Sequence, residues 1–417
     1  MNVIRPICCG ADIHKDIIVA TIAKTNDSGI AEYTQRRFNS QNYSLNELKD
    51  WLKENNCFEI AMESTGKYWI PIFNVLEDEI KVYVAHPKYT KAIKGKKTDK
   101  KDSKWIADLF RHDLIKFSFI PPKDIRQLRE LSRYRIKLIG MRSSERLRYQ
   151  NSMTVSNIGL ASILSDPFGK SARNIMSLAL NSETITEEEI KALLKKSAKK
   201  KTVEVLKSLQ GRRIETDQRL KMSIASSHMS ELDKHIEDIE LEMAKRCIPY
   251  SNYIECMIQI PGISYMSAMT IIAEIGTDME QFETDKQLSC WAGLAPANNE
   301  SANKKKSTKI SKAGSYIKPL LVQCALSAIR SNSEPYYKIK YERIKKRRGH
   351  KKAIIAIARM ILVAIYHILL TGENFNPSDI EEIHNPKTSK NNKLTTESAL
   401  AFLQAQGYDI SSINLTI

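Results

Sequence analysis

Apolar and polar positions follow a period of two through most of the first forty residues. "RPICCGADI" and "DIIVATIAKT" are apolar, β-branched runs joined by a short turn at His14-Lys15, and after the turn residues "NDSG" the segment "IAEYTQRRF" alternates as a third strand. The period then lengthens. In "SLNELKDWLKEN", Leu45, Leu48, Trp51 and Leu52 fall at helical spacing, with Ser44 as the expected N-cap and Glu47 three residues on. "FEIAME" predicts a strand, "YWIPIFNVLEDE" a helix and "KVYVAHP" a further strand. Thr98 can then cap a helix running through Trp105, Ile106, Leu109 and Phe110.

Three strands able to form antiparallel hairpins are thus followed by helix, strand, helix, strand, helix. Crossover helices imply parallel strands. A meander extended by parallel strands is the layout of an RNase H-like domain, expected over residues 1–121. A doubly wound fold would open instead with a βαβ unit. Residues 122–249 carry no convincing strand. Two long, charged, helix-periodic segments, "LRELSRYRIKLIGMRSSERLRYQ" and "VEVLKSLQGRRIETDQRLKMSIASSHMSELDKHIEDIELEMAKR", predict an antiparallel helical or coiled-coil arm with short helices inserted. Residues 250–375 predict a third, mainly helical unit. Residues 376–417 predict a polar linker and one small helix.

Ala353 to Leu370 is nearly long enough to span a bilayer, but Arg359 and His367 interrupt it and Gly372 follows as a C-cap, so a buried helix and no membrane partner are expected. The 417 residues carry a formal net charge of +17, and a protein of this size suggests two or three domains. Between Asn303 and Lys352 sixteen Lys or Arg face only Glu334 and Glu342. That clustering points to a polyanion, most simply nucleic acid. Seven scattered cysteines without a CxxC pair fit a reducing cytoplasm rather than a disulfide framework or zinc site.

The acids are sparse and oddly placed. Asp12 ends the first strand just after Gly10, which allows close backbone approach, and Glu63 ends the fourth. Asp99 and Asp102 sit three residues apart, on one side of a first helical turn, within the lysine-rich "GKKTDKKDSK". Each could serve only as a turn former, cap or dipole partner. In an RNase H-like sheet, however, the first and fourth strand ends are neighbours, and converging carboxylates need cations to neutralise them. Hard oxygen ligands suit Mg²⁺ or Mn²⁺, with Lys96 and Lys97 as a phosphate-holding rim.

At these residues the chain resembles the insertion-sequence-110 family of transposases. "GADIHKD", "MESTGKYW", "KTDKKDSKWIADLFRHDLI" with "FIPP", and "GLAPANNESANKKKSTKISKAG" carry the likeness, over roughly residues 7 to 150 and 250 to 375. The resemblance implies a RuvC-like DEDD domain paired with a serine-bearing transposase domain. It places Asp12, Glu63, Asp99 and Asp102 at the family's four acidic positions.

On the residues alone, 295–315 reads as a flexible basic loop clamping a phosphate backbone, through Lys304, Lys305, Lys306, Lys309 and Lys312. It holds Ser301, Ser307, Ser311 and Ser315 with no GxSxG elbow and no nearby His, which argues against a hydrolase triad. The resemblance singles out Ser301, preceded by Glu300, as a nucleophile that would hold a DNA end as a phosphoserine ester. Where relatives commonly have Gly and Arg, this chain has Ala302 and Lys304 to Lys306. "IQIPGISYMSAMTIIAEIG" reads as a helix–hairpin–helix starting its second helix near Ser264, whose turn can offer N–H groups to a phosphate.

The resemblance further implies a homo-oligomer, dimer or tetramer, with sites shared between protomers. Its other implied partners are DNA, as element ends and target, and a structured non-coding guide RNA encoded by the element, in a bacterial or archaeal cytoplasm. Two other readings fit the residues: a RuvC-like Holliday-junction endonuclease working by metal-assisted hydrolysis, and a non-catalytic nucleic-acid scaffold.

Overall fold

Strands β1 (Ile7–Ile13), β2 (Ile17–Thr25) and β3 (Ala31–Asn39) form the antiparallel meander, and helix α1 (Asn42–Glu54) then carries the chain to β4 (Glu59–Glu63). Helix α2 (Trp69–Leu76) leads to β5 (Lys81–Ala85), the single turn α3 (Pro87–Thr90) and helix α4 (Asp99–Arg111). A two-residue strand β6 (Phe117–Ser118), which no sequence pattern announced, closes the sheet in the order β3-β2-β1-β4-β5-β6. β4 lies parallel to β1 and β5 parallel to β4, whereas β6 is antiparallel to β5. The sheet is therefore mixed, as the crossover helices require. This computed structural model describes residues 2–63, 66–90, 99–296, 299–301, 304–307 and 309–380. The chain divides into one unit running to Pro122 and a second beginning at Lys123.

The period of two sorts side chains onto two faces of the sheet. Cys9, Ala11, Ile13, Ile60 and Met62 bury against Leu45, Leu48, Trp51 and Leu52 of α1 and Ile72, Phe73 and Leu76 of α2. Cys8 and Ala61, one residue out of phase, bury against Ile106, Ala107 and Phe110 of α4. Helix α1 starts earlier than its Ser44 signal: Gln41 is the N-cap, and Ser44 Oγ accepts instead from Asn39 N–H at 3.1 Å, pinning the helix to the end of β3.

The second unit is built of helices and one small hairpin. Helices α5 (Lys123–Val155) and α10 (Thr216–Arg246) pack along each other and run antiparallel, because partners fall in number on one as they rise on the other. Arg246 reaches Gln127, Glu240 pairs Arg135 at 2.6 Å, and Asp233 pairs Arg142 at 2.5 Å. Leu138, Leu232 and Ile236 fill the seam between them. Between these long helices sit α6 (Leu160–Ile163), α7 (Lys170–Asn181), α8 (Glu187–Leu193) and α9 (Thr202–Leu209), around a core of their own that includes Ile175, Ile190 and Val205.

Helices α11 (Ser251–Ile258), α12 (Tyr265–Ile275), α13 (Asp285–Trp291), α14 (Ile317–Ala328), α15 (Tyr336–Arg348) and α16 (His350–Thr371) share the largest core. Ser264 caps α12 as its position suggested. α16 is apolar and long enough to cross a membrane by length and composition, yet 56% of its apolar window is buried in this core, and Gly372 ends it in the left-handed conformation. The small helix expected toward the C-terminus falls, from residue 381 on, outside the described residues.

The root of α5 is fixed to this core by charge. Glu274 of α12 is 2% exposed and accepts both Arg133 Nε and Nη2 at 2.8 Å, while Arg129 donates to the carbonyls of Ala273 and Glu274 at 3.0 and 2.8 Å. The hydrogen bonds to Glu274 raise the pKa of the Arg133 guanidinium, and burial lowers that of Arg129. Removing one partner of such a pair strands a buried charge. Arg133→Met should therefore lower stability of the helical unit by about 3 kcal/mol, read as a fall in urea midpoint. Lys345→Met, which breaks an exposed pair with Glu342, should stay within about 0.5 kcal/mol.

Candidate active site

On β1, Asp12 shares the face of Cys8 and Gly10, which is the face that α4 covers. On β4, Glu63 shares the face of Ala61, which is the same one. The parallel register pairs Gly10 with Ala61 and Ala11 with Met62, so Asp12 and Glu63 stand one residue beyond the last pair, side by side at neighbouring strand ends. Asp12 is 9% exposed, and His14 Nε2 lies 3.3 Å from its Oδ2. Thr90, buried at the end of α3, donates its hydroxyl to Glu63 Oε2 at 2.6 Å.

Helix α4 reaches these acids because β1 lets it come close. A Cβ placed on Gly10 would lie 2.2 Å from Ala107 N and 2.5 Å from Ser103 O, so the helix backbone rests directly on the strand backbone. The two run antiparallel: Arg111 O accepts from Ile4 N at 2.9 Å, Cys8 Sγ reaches Ala107 O, and Gly10 faces both Ala107 and Ser103. One helical turn before Ser103 covers about 5.4 Å, which matches about two strand residues beyond Gly10. That brings the first turn of α4, Asp99 to Asp102, level with Asp12.

Rotation of the helix is set by a polar trio, two buried hydroxyls bridged by an exposed amide. Ser103 Oγ and Thr21 Oγ1 are 2.7 Å apart, and Gln35 Nε2 donates to them at 3.0 and 2.8 Å. Both hydroxyl residues are essentially inaccessible to solvent, and a mutually satisfied buried network tolerates little rotation. Tyr33 bonds Asp108, and Lys104 lies 3.9 Å over the Tyr33 ring. Gly10 was legible in the sequence. Thr90, Thr21, Gln35 and Ser103 were not, since each acts through a partner far along the chain.

Asp102, in the turn that leads into Ser103, is half-buried. The backbone of Asp99 opens α4, and its side chain lies outside the described atoms, as do residues Lys96 and Lys97 and the expected cap Thr98. Among the described residues no three His, Cys, Asp or Glu side chains group closely enough to hold a metal ion. Asp12 and Glu63 offer carboxylate oxygens, the donor type that suits a hard divalent cation.

In the second unit, the expected flexible loop contains structure. β7 (Asn299–Ser301) and β8 (Lys304–Ser307) form an antiparallel hairpin in which Ser301 faces Lys304 and Glu300 faces Lys305. The hairpin places the backbones of Ser301, Lys304, Lys305 and Lys306; their side chains are outside the described atoms. Lys309 and Lys312 are exposed. Two left-handed glycines close the base: a Cβ on Gly314 would meet Ala292 O at 2.2 Å, and one on Gly293 would meet Ala313 O at 2.5 Å. A Cβ added at Gly262 would lie 2.3 Å from Cys324 O of α14, so one side of the Pro261-Gly262 turn packs on that helix.

Residues 9–156 match the family model DEDD_Tnp_IS110, described as a transposase, and residues 255–342 match the model described as Transposase IS116/IS110/IS902 family. Asp12, Glu63, Asp99 and Asp102 lie in the first matched segment, Ser301 and the loop lysines in the second. The transposase for insertion sequence element IS1111A of Coxiella burnetii (strain RSA 493 / Nine Mile phase I) is 30% identical over 146 residues, 34% of this chain and 40% of that protein. The chain thus aligns with less than half the length of that relative.

Close seating of α4 gives a direct test. Gly10→Ala should displace the helix at a cost of about 1–3 kcal/mol and speed hydrogen exchange throughout α4. Gly140→Ala, where an added Cβ meets nothing within 4 Å, should be neutral or stabilising by up to about 1 kcal/mol.

Proposed function

This chain belongs to the IS110 family of transposases, and on that premise we propose that it is a DNA recombinase that mobilises an insertion sequence by cutting and rejoining strands. The observation that carries the reading is the shared strand-end position of Asp12 and Glu63 beneath the first turn of α4. The sheet order supports an RNase H-like, RuvC-like domain over residues 1–121. The arm then occupies 122–249 and the serine transposase domain 250–375.

Asp12, Glu63, Asp99 and Asp102 would hold Mg²⁺ or Mn²⁺. Bound there, the divalent ion supplies charge stabilisation to the oxygens of the phosphate under attack. Thr90 holds one oxygen of Glu63, and the Thr21–Gln35–Ser103 trio aims the α4 acids. Lys96 and Lys97, just before that turn in the sequence, would add positive charge for binding a DNA strand.

Ser301 Oγ is the nucleophile. It attacks the scissile phosphorus, giving up its proton as the new O–P bond forms, and the bond to the leaving deoxyribose oxygen breaks with its electron pair, which then takes a proton. The phosphoserine ester conserves a phosphodiester's bond energy, so a second hydroxyl can displace Ser301 and rejoin the strands without ATP. Lys304, Lys305, Lys306, Lys309 and Lys312 stabilise the added negative charge around the phosphate. The two residue sets meet in a dimer or tetramer, in the cytoplasm of a bacterium or archaeon. Lys and Arg serve backbone contacts, so sequence readout is delegated to base pairing with an element-encoded RNA.

The decisive measurement is capture of a denaturation-resistant protein–DNA adduct with cognate element ends, RNA and Mg²⁺. Ser301→Ala should abolish the adduct, and Asp12→Asn should reduce strand cleavage by at least about a hundredfold. Cutting that survives Ser301→Ala but not Asp12→Asn would replace this reading with a hydrolytic junction endonuclease. Salt-sensitive binding without Mg²⁺-dependent cutting would leave a scaffold.

A further inference from the structure

Serines open the seam of the arm at one place. Near its middle the two long helices meet through Leu138, Leu232 and Ile236, but toward the inserted helices α10 turns Ser223, Ser226, Ser227 and Ser230 outward at i, i+3, i+4 and i+7, a single helical face. A cleft of about 300 Å³ lies there, between that face, α5 and α7. The hydroxyls of Ser223, Ser226 and Ser227 bond no protein group among the described residues.

The opposite wall is aromatic and cationic. Tyr149 and Phe168 meet edge to face with ring centres 5.9 Å apart. The Arg146 guanidinium lies 5.3 Å from the Phe168 ring centre, and Arg173 is anchored on the Phe168 carbonyl at 2.6 Å. A second, more polar concavity of about 600 Å³ adjoins through Leu180 and Asn181 and brings Arg212 and Arg219 alongside. Arg212 Nη2 bonds the carbonyls of Ser182 and Glu183 and Arg219 bonds that of Leu180, so both charges are held in place. Glu183 is the carboxylate of that second concavity, and Asp233, at the first, is paired with Arg142.

We propose that this cleft binds one unstacked nucleotide of a single nucleic-acid strand. The base lies against Phe168 beside the Arg146 plane, its edge meets the α10 hydroxyls, and the flanking phosphates run past Arg173 toward Arg212 and Arg219. A free anion has no use for the aromatic wall, and a protein segment would want a broader apolar face. Aromatic rings, guanidinium planes and hydroxyls around a small cavity are what splayed bases use, and 300 Å³ is at the small end of ligand pockets. Helices α7 and α10 lie outside both matched segments. The proposal rests on the chain being a nucleic-acid enzyme and adds a site that shares no residue with either set of reacting residues.

Fluorescence of 2-aminopurine in short single strands, one DNA and one RNA, titrated with the full-length protein, tests this. The wild type should raise the probe's emission as the base leaves its neighbours, with the tighter-binding strand naming the source. Phe168→Ala and the cleft-filling Ser226→Leu should each weaken single-strand binding about tenfold, while duplex binding stays within twofold; Ser226→Leu, on an exposed helix face, should do so without lowering the melting temperature. Wild-type single-strand affinity in both variants would overturn the site while leaving duplex binding and the Ser301 adduct intact. Loss of all nucleic-acid binding by the wild type would instead remove the reading it rests on.

Discussion

The N-terminal unit depends on the absence of one carbon atom. With no side chain at Gly10, the backbone of α4 settles on the backbone of β1, and small residues answer it from the helix, Ala107 and Ser103. Any larger group would lift the helix and carry its acidic first turn away from the strand ends. Close approach fixes height but not rotation, and rotation is supplied by the buried hydroxyls of Thr21 and Ser103 under Gln35. A wholly apolar interface would be as stable but less particular about the direction in which the first turn points.

Much of this could be read along the chain because it is local. Period-two runs marked the first five strands, the change to a 3.6 period marked the helices, and two aspartates three apart marked one helix face. What stayed hidden is tertiary. Phe117–Ser118 becomes a strand only because β5 offers an edge, and two residues carry no period. Ser44 looks like a cap, yet a nearby backbone N–H competes for its oxygen and the helix begins before it. Thr90 reaches Glu63 across 27 positions, so no window of sequence relates them. The lysine-rich hairpin at 299–307 lacks the alternation that would have announced it, since charge, not burial, dominates its composition.

The large positive charge is not evenly available. In the arm, Arg133, Arg135 and Arg142 are committed to Glu274, Glu240 and Asp233, and their planar forks serve as struts between helices. In α15 and the start of α16 the cations far outnumber the acids, and Lys345, Lys346, Arg347 and Arg348 lie open to solvent. A polyanion therefore meets exposed charge along α15 and the start of α16, whereas Arg133, Arg135 and Arg142 hold the protein's own shape.

The paired glycines at 293 and 314 have a different kind of consequence. They bring the two ends of a long basic excursion into backbone contact, so its closure entropy is met by the fold and not by anything inside the excursion. Beyond Leu294, which packs in the helical core, the framework outside the glycines makes little demand of its own on how many residues run between them. What constrains that stretch is the chemistry proposed for Ser301, not the stability of the helices that flank it.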